Sequence, residues 1–540
     1  INYNNTPRRF DIAATLGWTG RYENMNNMRV STNGGLVTEN WFDLNASRYT
    51  ASSTLQRMEL LKTGYMGTLS LGWDNYLFLE LTGRQERSST LKDQSFFYPS
   101  ANLSFLFSNA FRMPAWWNHG KLRLSYGIVG NAPETYAANI IYEQGSDNGF
   151  TWNYVPSSWG NANIRPEKKY EYEIGLESKF FNNRLGFDVS YYNNRVKDQI
   201  LSTPQPSSSG VKYVLMNVGE VANEGWDISV SATPILTKDF RWDLTANYGI
   251  YRNKVVKLAE GVPYLEISNI GGGGAKIQAV EGRPMGDIYV QVPQVNENGD
   301  YLVSDKGLYL NQTDLQRVGN INPDGVGGLF SSFSYKNIFL DFSIDFRIGG
   351  DVINEMYQYS TASGLTPESL QYRDTEHGGL SYYYPGNNNA SGVPVQIDPS
   401  LGAGPNGEVI YHDGVVLPGV VASTGEKNTR IIPAGYYYNQ TYNWGTQPEQ
   451  YTYRHSVFDN TYVKLRELTI GYQFPEKLIS KLGMTRLSVS VFGRNLFYFY
   501  KALKNYDAES SVGTSWASQA VVGGSTTATR NFGISLRASF

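Results

Sequence analysis

The chain has 540 residues and a formal charge of −3, which excludes a basic nucleic-acid-binding face; a soluble chain of this length would split into about three or four domains, yet no linker divides it. The absence of cysteine excludes disulfide staples, thiol catalysis and thiolate metal sites, and the absence of any run of about 18 apolar residues excludes a membrane-crossing helix. With Tyr 40, Phe 25 and Trp 11, the aromatic excess suits wet interfaces, either membrane girdles or carbohydrate-contacting surfaces.

The opening, INYNNTPRRF, carries no basic and apolar leader and reads as the polar end of a loop, so the chain is expected to start partway through a longer protein. Period-2 patterning then gives about fourteen strands, near 8–22, 56–73, 75–86, 96–108, 120–130, 167–180, 183–198, 212–234, 239–256, 327–336, 338–349, 458–474, 485–499 and 529–540. In 170–177, Tyr170, Tyr172, Ile174 and Leu176 alternate with Glu171, Glu173, Gly175 and Glu177. In 240–250, Phe240, Trp242, Leu244, Ala246, Tyr248 and Ile250 alternate with Arg241, Asp243, Thr245, Asn247 and Gly249. In 338–347, Ile338, Leu340, Phe342, Ile344 and Phe346 alternate with Asp341, Ser343, Asp345 and Arg347. The last strand sets Phe532, Ile534, Leu536, Ala538 and Phe540 against Gly533, Ser535, Arg537 and Ser539.

A soluble sandwich and a membrane barrel share this alternation; their connections differ. Every second connection here is short: 73–74, 109–119, 181–183, 236–239, 336–337 and 475–485. The others are mostly long, including 30–51, 131–165, 256–325, 350–459 and 501–528. That parity predicts an all-β fold, a transmembrane antiparallel barrel with short periplasmic turns and long extracellular loops, its charged faces lining the lumen and its apolar faces meeting lipid. The expected lumen residues are Glu171, Glu173, Glu177, Arg241, Asp243, Asp341, Asp345 and Arg347.

The loops 256–325 and 350–459 exceed what a structureless connection tolerates and are expected to fold on themselves or against a partner. Asn298-Gly299 reads as a hairpin turn, and the phase slip between Leu465 and Thr469 predicts a bulge near Arg466 and Glu467. His455 with Ser456, or His412 with Asp413, could serve a hydrolase, but no nucleophile motif accompanies them and ordinary loop roles are favoured. The run 271–274 lacks the Gly-Lys-Ser/Thr ending of a phosphate cradle and reads as a flexible loop; no cofactor and no dedicated metal site are expected. Ligand contact is assigned to loop aromatics: Trp152, Tyr154 and Trp159 in one loop, Tyr382, Tyr383, Tyr436, Tyr437 and Trp444 in another. Trp116 and Trp117 are read as interfacial anchors on the periplasmic side.

Several segments carry a family resemblance. They are YLFLELTGRQERSSTL (76–91), FFYPSANLSFLFS (96–108), WWNHGKLRLSYGIVGN (116–131), IRPEKKYEYEIGLE (164–177), NVGEVANEGWDISV (217–230), EGRPMGDIY (281–289), GNINPDGVGGLFSSFSYKNIFLDFSIDFRIGGDV (319–352), NTYVKLRELTIGYQFP (460–475) and GRNLFYF (493–499). In order and spacing they resemble the barrel half of SusC/RagA-like TonB-dependent outer-membrane transporters. The resemblance implies a 22-stranded barrel, with the plug, the earlier strands and the TonB-contacting part upstream of Ile1. It implies active import of oligosaccharides or peptides across the outer membrane, without enzymatic activity. It further implies a SusD-like surface lipoprotein as partner, with 350–459 the candidate contact, and allows a dimer of transporter–lipoprotein pairs. A passive porin of fourteen strands is the alternative, and an outer-membrane hydrolase or adhesin a further one.

Overall fold

The computed structural model describes residues 2–5, 9–92, 94–147, 150–442, 453–524 and 528–540. Fourteen long strands account for the predicted series. They are β1 (Phe10–Leu36), β2 (Ser47–Trp73), β3 (Leu77–Ser88), β4 (Ser95–Phe105), β5 (Trp117–Asn131), β6 (Glu167–Phe180) and β7 (Leu185–Lys197), then β8 (Glu220–Leu236), β9 (Phe240–Lys257), β10 (Gly325–Tyr335), β11 (Ile338–Ile348), β12 (Tyr462–Gln473), β13 (Arg486–Lys501) and β14 (Asn531–Ser539). Each is hydrogen-bonded to the next in chain order, and a short strand, Asn2–Asn5, pairs with the start of β1. The chain divides into two compact units, Ile1–Ile228 with Asn253–Pro263, and Ser229–Arg252 with Tyr264–Phe540.

In an antiparallel ladder, residues directly opposite share a face, so register turns the period-2 pattern of single strands into rows. In the first unit one row runs Ile12, Leu71, Leu79, Leu103, Leu124, Ile174, Tyr191, and the next Phe10, Trp73, Leu77, Phe105, Leu122, Leu176, Val189. Displaced by one residue lies a row of the opposite character, Ala13, Ser70, Glu80, Asn102, Ser125, Glu173, Tyr192. The second unit repeats the division: Trp242–Phe333–Leu340–Ile470–Val491–Ile534 on one face, and Thr245–Phe330–Ser343–Glu467–Arg494–Asn531 on the other. None of the apolar side chains in these rows is buried, and several are exposed, among them Ile174 at 47%, Ile470 at 54% and Val491 at 57%. A soluble sandwich would bury these rows against a second sheet; a barrel in lipid leaves them outside.

The short connections are tight because asparagine and aspartate accept left-handed backbone: Asp74 and Asn75 have φ of 48° and 58°, and Asn182 and Asn183 of 57° and 62°. At this end of the first unit Phe10, Trp73, Tyr76, Phe105 and Phe111 form a chain of ring contacts, and so do Phe107, Trp117, Trp116 and Phe180. Such a belt suits a headgroup boundary, the setting expected for Trp116 and Trp117.

Three expectations change. β1 and β2 are 27 residues each and run far past the predicted ends, leaving 37–46 as the connection in place of 30–51. The strand expected at 212–234 is broken: Tyr213–Asn217 pairs with Ile200–Pro204, Gly219 turns at φ 103°, and β8 starts at Glu220. The glycines at 271–273 are no loose loop but a compact turn with φ of 59°, 68° and 111°, and Gly271 lies so close to the Tyr453 ring that a Cβ would meet its hydroxyl at 1.8 Å.

The bulge is found at Arg466. Ser343 pairs with Glu467 and Ile344 with Leu465, leaving Arg466 as the extra residue. The Asn298-Gly299 hairpin also forms, with Asn296 and Asp300 closing the loop and Gly299 at φ 86°.

In the second unit the long loops fold against one another. From 258–324 come Ile270, Ile277, Ile288 and Val290, from 349–461 Ile353, Tyr453 and Val457, and from 502–530 Ala517, Ala520 and Val521, all in one buried core. Two helices, α1 (Glu355–Ala362) and α2 (Ala434–Tyr442), lie in the second of these loops.

Candidate functional site

The polar face of the first unit is organised by Arg123 of β5. Its guanidinium crosses Gly175 to bond both carboxylate oxygens of Asp188, at 3.0 and 2.6 Å, and Ser190 Oγ at 3.0 Å. A Cβ at residue 175 would stand 2.7 Å from Arg123 Nη2, so the glycine in the acidic strand is what lets arginine pass. Glu177 lies 3.6 Å from Arg123, 3.7 Å from His119 and 3.6 Å from Lys179, and Glu171 pairs with Lys169 at 2.5 Å. Glu173 stands in the same polar row, opposite Ser125 and Tyr192.

On the polar face of the second unit, Asp243 takes Arg241 at 2.5 Å and Thr233 at 2.7 Å, and Asp341 accepts from Ser332 at 2.6 Å. Arg347, at the long-loop end, donates to the carbonyls of Ile321 and Gly349. Beside it the bulged Arg466 reaches Asp345 (2.5 Å), Asn495 (2.9 Å) and both oxygens of Glu509 (2.9 and 2.5 Å). Asn495 has φ of 54°, so two neighbouring strands each devote an irregular residue to this contact. Lys464 joins it: the side chain is 2% exposed, its ammonium lies 2.5 Å from Glu509 and 4.8 Å from the centre of the Tyr498 ring. Asp507 accepts from the Tyr498 hydroxyl at 2.6 Å, and Lys501 donates to the Tyr506 carbonyl. The loop after β13 is thereby fastened to the polar face by its own carboxylates.

Burial pushes the Glu509 carboxyl up, but Arg466 and Lys464 outweigh it and hold the group below the ordinary carboxylate range; burial and the Tyr498 hydroxyl act in the same opposed way on Asp507, also held low. For a depressed carboxyl the stabilisation is complete above the unfolded value, about 4, and fades as pH falls through the lower folded value. Amide exchange in 502–524, corrected for intrinsic rate, is therefore expected to stay slow from about pH 7 to 5 and to accelerate below about pH 4. A protection profile that is flat to about pH 3 would show that the clamp is not electrostatic.

The ligand-contact candidates divide by burial. Trp152 and Tyr154 are exposed on the hairpin Glu143–Asp147/Phe150–Tyr154, while Trp159 lies on another strand with its ring against Tyr142. Tyr436 is exposed, Tyr383 and Tyr437 are half-buried, and Trp444 falls outside the described residues. Tyr382 is a correction: it is 1% exposed, its ring stacks on Tyr411 and its hydroxyl bonds Asp413, which makes it a packing residue of the loop. The hydrolase pairings do not form. His412 Nδ1 meets the buried Ser381 at 2.8 Å in place of Asp413, and the buried Ser456 donates to Gln358 in place of His455.

Arg123, Asp188, Lys464 and Glu509 were absent from the sequence-derived set. The first two have a signal, since Arg123 and Asp188 fall on the polar phase of β5 and β7. Glu509 has none, because it lies in an aperiodic loop.

The family model for the TonB dependent receptor-like beta-barrel matches residues 2–285. TonB-dependent receptor P3 of Formosa agariphila is 24% identical over 483 residues, 83% of this chain and 42% of that protein. TonB-dependent receptor SusC of Bacteroides thetaiotaomicron is 27% identical over 247 residues, 42% of this chain and 24% of that protein. Among solved structures, the RagAB peptide transporter superposes with a TM-score of 0.71 at 18% identity, covering 99% of this chain and 54% of that one. The chain thus spans about half, or less, of the proteins it matches. With the family model covering more than half of its residues, and with the apolar and polar rows already described, this chain belongs to the TonB-dependent receptor β-barrel family.

Proposed function

We propose that this chain forms the passage-lining and surface-exposed part of an outer-membrane importer energised through TonB, which takes up oligosaccharides or peptides with a SusD-like surface lipoprotein. The observation that carries this reading is the division of faces along register: apolar rows suited to lipid on one side, ion-paired polar rows suited to a hydrated passage on the other. On this reading Glu171, Glu173, Glu177, Arg241, Asp243, Asp341, Asp345 and Arg347 line the passage. The short turns with their aromatic belt lie at the periplasmic boundary, and the co-folded loops stand at the cell surface.

The exposed rings of Trp152, Tyr154 and Tyr436 favour oligosaccharides, because flat apolar faces stack on sugar rings. The lipoprotein is placed against the loop 350–459, and bound ligand is passed on without chemical change. A strain lacking the gene, grown on a panel of single oligosaccharides and peptides as sole nutrient, tests this. Growth is expected to fail on one substrate class and to return with the gene, and undiminished growth on every substrate would overturn the reading.

A further inference from the structure

We infer that the loop between β11 and β12 holds a binding site for a small zwitterion of the amino-acid type, seated between the guanidinium of Arg373 and the carboxylate of Asp413. A cavity of about 320 Å³ opens there, lined by Ala362, Ser363 and Gly364 at the end of α1, by Ala434, Gly435 and Tyr438 of α2, and by Arg373 and Asp413. That volume stands at the lower end of the range for small-molecule sites and suits an occupant the size of an amino acid or a dipeptide.

Arg373 is held by backbone alone. Its Nε donates to the Ser369 carbonyl at 2.8 Å and its Nη2 to the Gly364 carbonyl at 2.7 Å. Gly364 has φ of 74°, and a Cβ there would lie 2.0 Å from Nη2, so this approach needs glycine. The turn that supplies these carbonyls is pinned in turn by the Tyr438 hydroxyl, which donates to Glu368 O at 2.8 Å and to Gln371 O at 3.3 Å. Carbonyl partners orient a guanidinium without neutralising it, and among the described residues no carboxylate lies within ion-pairing distance of Arg373.

Asp413 is oriented in the same manner. One oxygen accepts the buried Tyr382 hydroxyl at 3.1 Å. The cavity thus has a fixed cation and a fixed anion that do not pair with each other. The helix ends add to this polarity: the carbonyl-rich end of α1 and the N–H-rich start of α2 both border it. A neutral sugar would leave both charges uncompensated, whereas an ammonium and a carboxylate on one small molecule satisfy them together.

The site does not depend on the transport reading. The test is calorimetric titration of the purified full chain with glycine and diglycine, and with acetate and methylammonium as half-ligands. A zwitterion is expected to bind at least tenfold more tightly than either half-ligand, a comparison that needs no variant. Arg373→Gln, which removes the positive charge, and Asp413→Asn, which keeps shape and removes the negative one, are each expected to weaken diglycine by tenfold or more, with unchanged amide protection in α1 and α2. Absence of zwitterion binding to the unaltered chain would overturn the proposal. Affinities no better than the half-ligands', or unmoved by both substitutions, would do the same.

Discussion

Replacing Glu509 by alanine is expected to cost about 3–5 kcal/mol, the penalty for leaving a buried charge without its counter-ion. Lys464 is almost fully enclosed, and Glu509 is the carboxylate that pairs with it directly, with Asp507 acting from farther off. Arg466 retains Asp345 and Asn495 when Glu509 is removed, so the loss falls mainly on Lys464. The double replacement Glu509→Ala with Lys464→Met should recover much of it, because an apolar chain of similar length needs no partner. Urea titration of the protein refolded in lipid measures both. A single-variant loss below about 1 kcal/mol would mean that water reaches the ammonium.

The next largest effect concerns the two faces. Arginine at Leu244 puts a charge in the apolar row shared with Ser331, Phe342, Leu468 and Phe532, and is expected to cost about 2–4 kcal/mol if that row lies near the bilayer midplane. Arginine at Thr245, one residue on, enters the row of Ser343, Glu467 and Arg494, where charge is already housed. Folding yield into vesicles should therefore fall sharply for Leu244→Arg and little for Thr245→Arg. Equal yields would contradict the assignment of faces.

The strand series was legible because each strand has one apolar face, and period 2 is visible wherever one face must avoid water. The upper halves of β1 and β2 were not, for the same reason: 21–36 reads RYENMNNMRVSTNGGL, largely polar on both phases, and its pairing with 47–62 is held by backbone bonds that leave no mark in side-chain pattern. The break before β8 leaves no period-2 signal: Asn217 bonds the backbone of Arg165 and Asp198 and helps hold Tyr213–Asn217 aside, and Gly219 turns the chain. The bulge could be read in advance because it shifts phase within a single strand. What it accomplishes could not, because Glu509, which it brings to Arg466, lies 43 residues away.

The ligand-contact residues show a different limit. Tyr382, Tyr383 and Tyr436 are alike in sequence, yet one is enclosed, one half-buried and one exposed. Which ring is covered depends on the pairing of Leu380–Tyr383 with Ile410–Val415 and on the helix that carries Tyr436, contacts between segments about 30 residues or more apart. The glycine at 175 marks the other extreme. It is plain in the sequence, but its role appears only once Arg123 is seen to cross it.

The most direct measurement is the accumulation of a labelled substrate, chosen from the growth panel, by cells carrying this protein, followed with TonB present and with TonB inactivated. Energised import predicts an internal concentration above the external one that collapses when TonB is lost. Entry that merely equilibrates, at the same rate in both strains, would make the protein a passive channel and contradict the account.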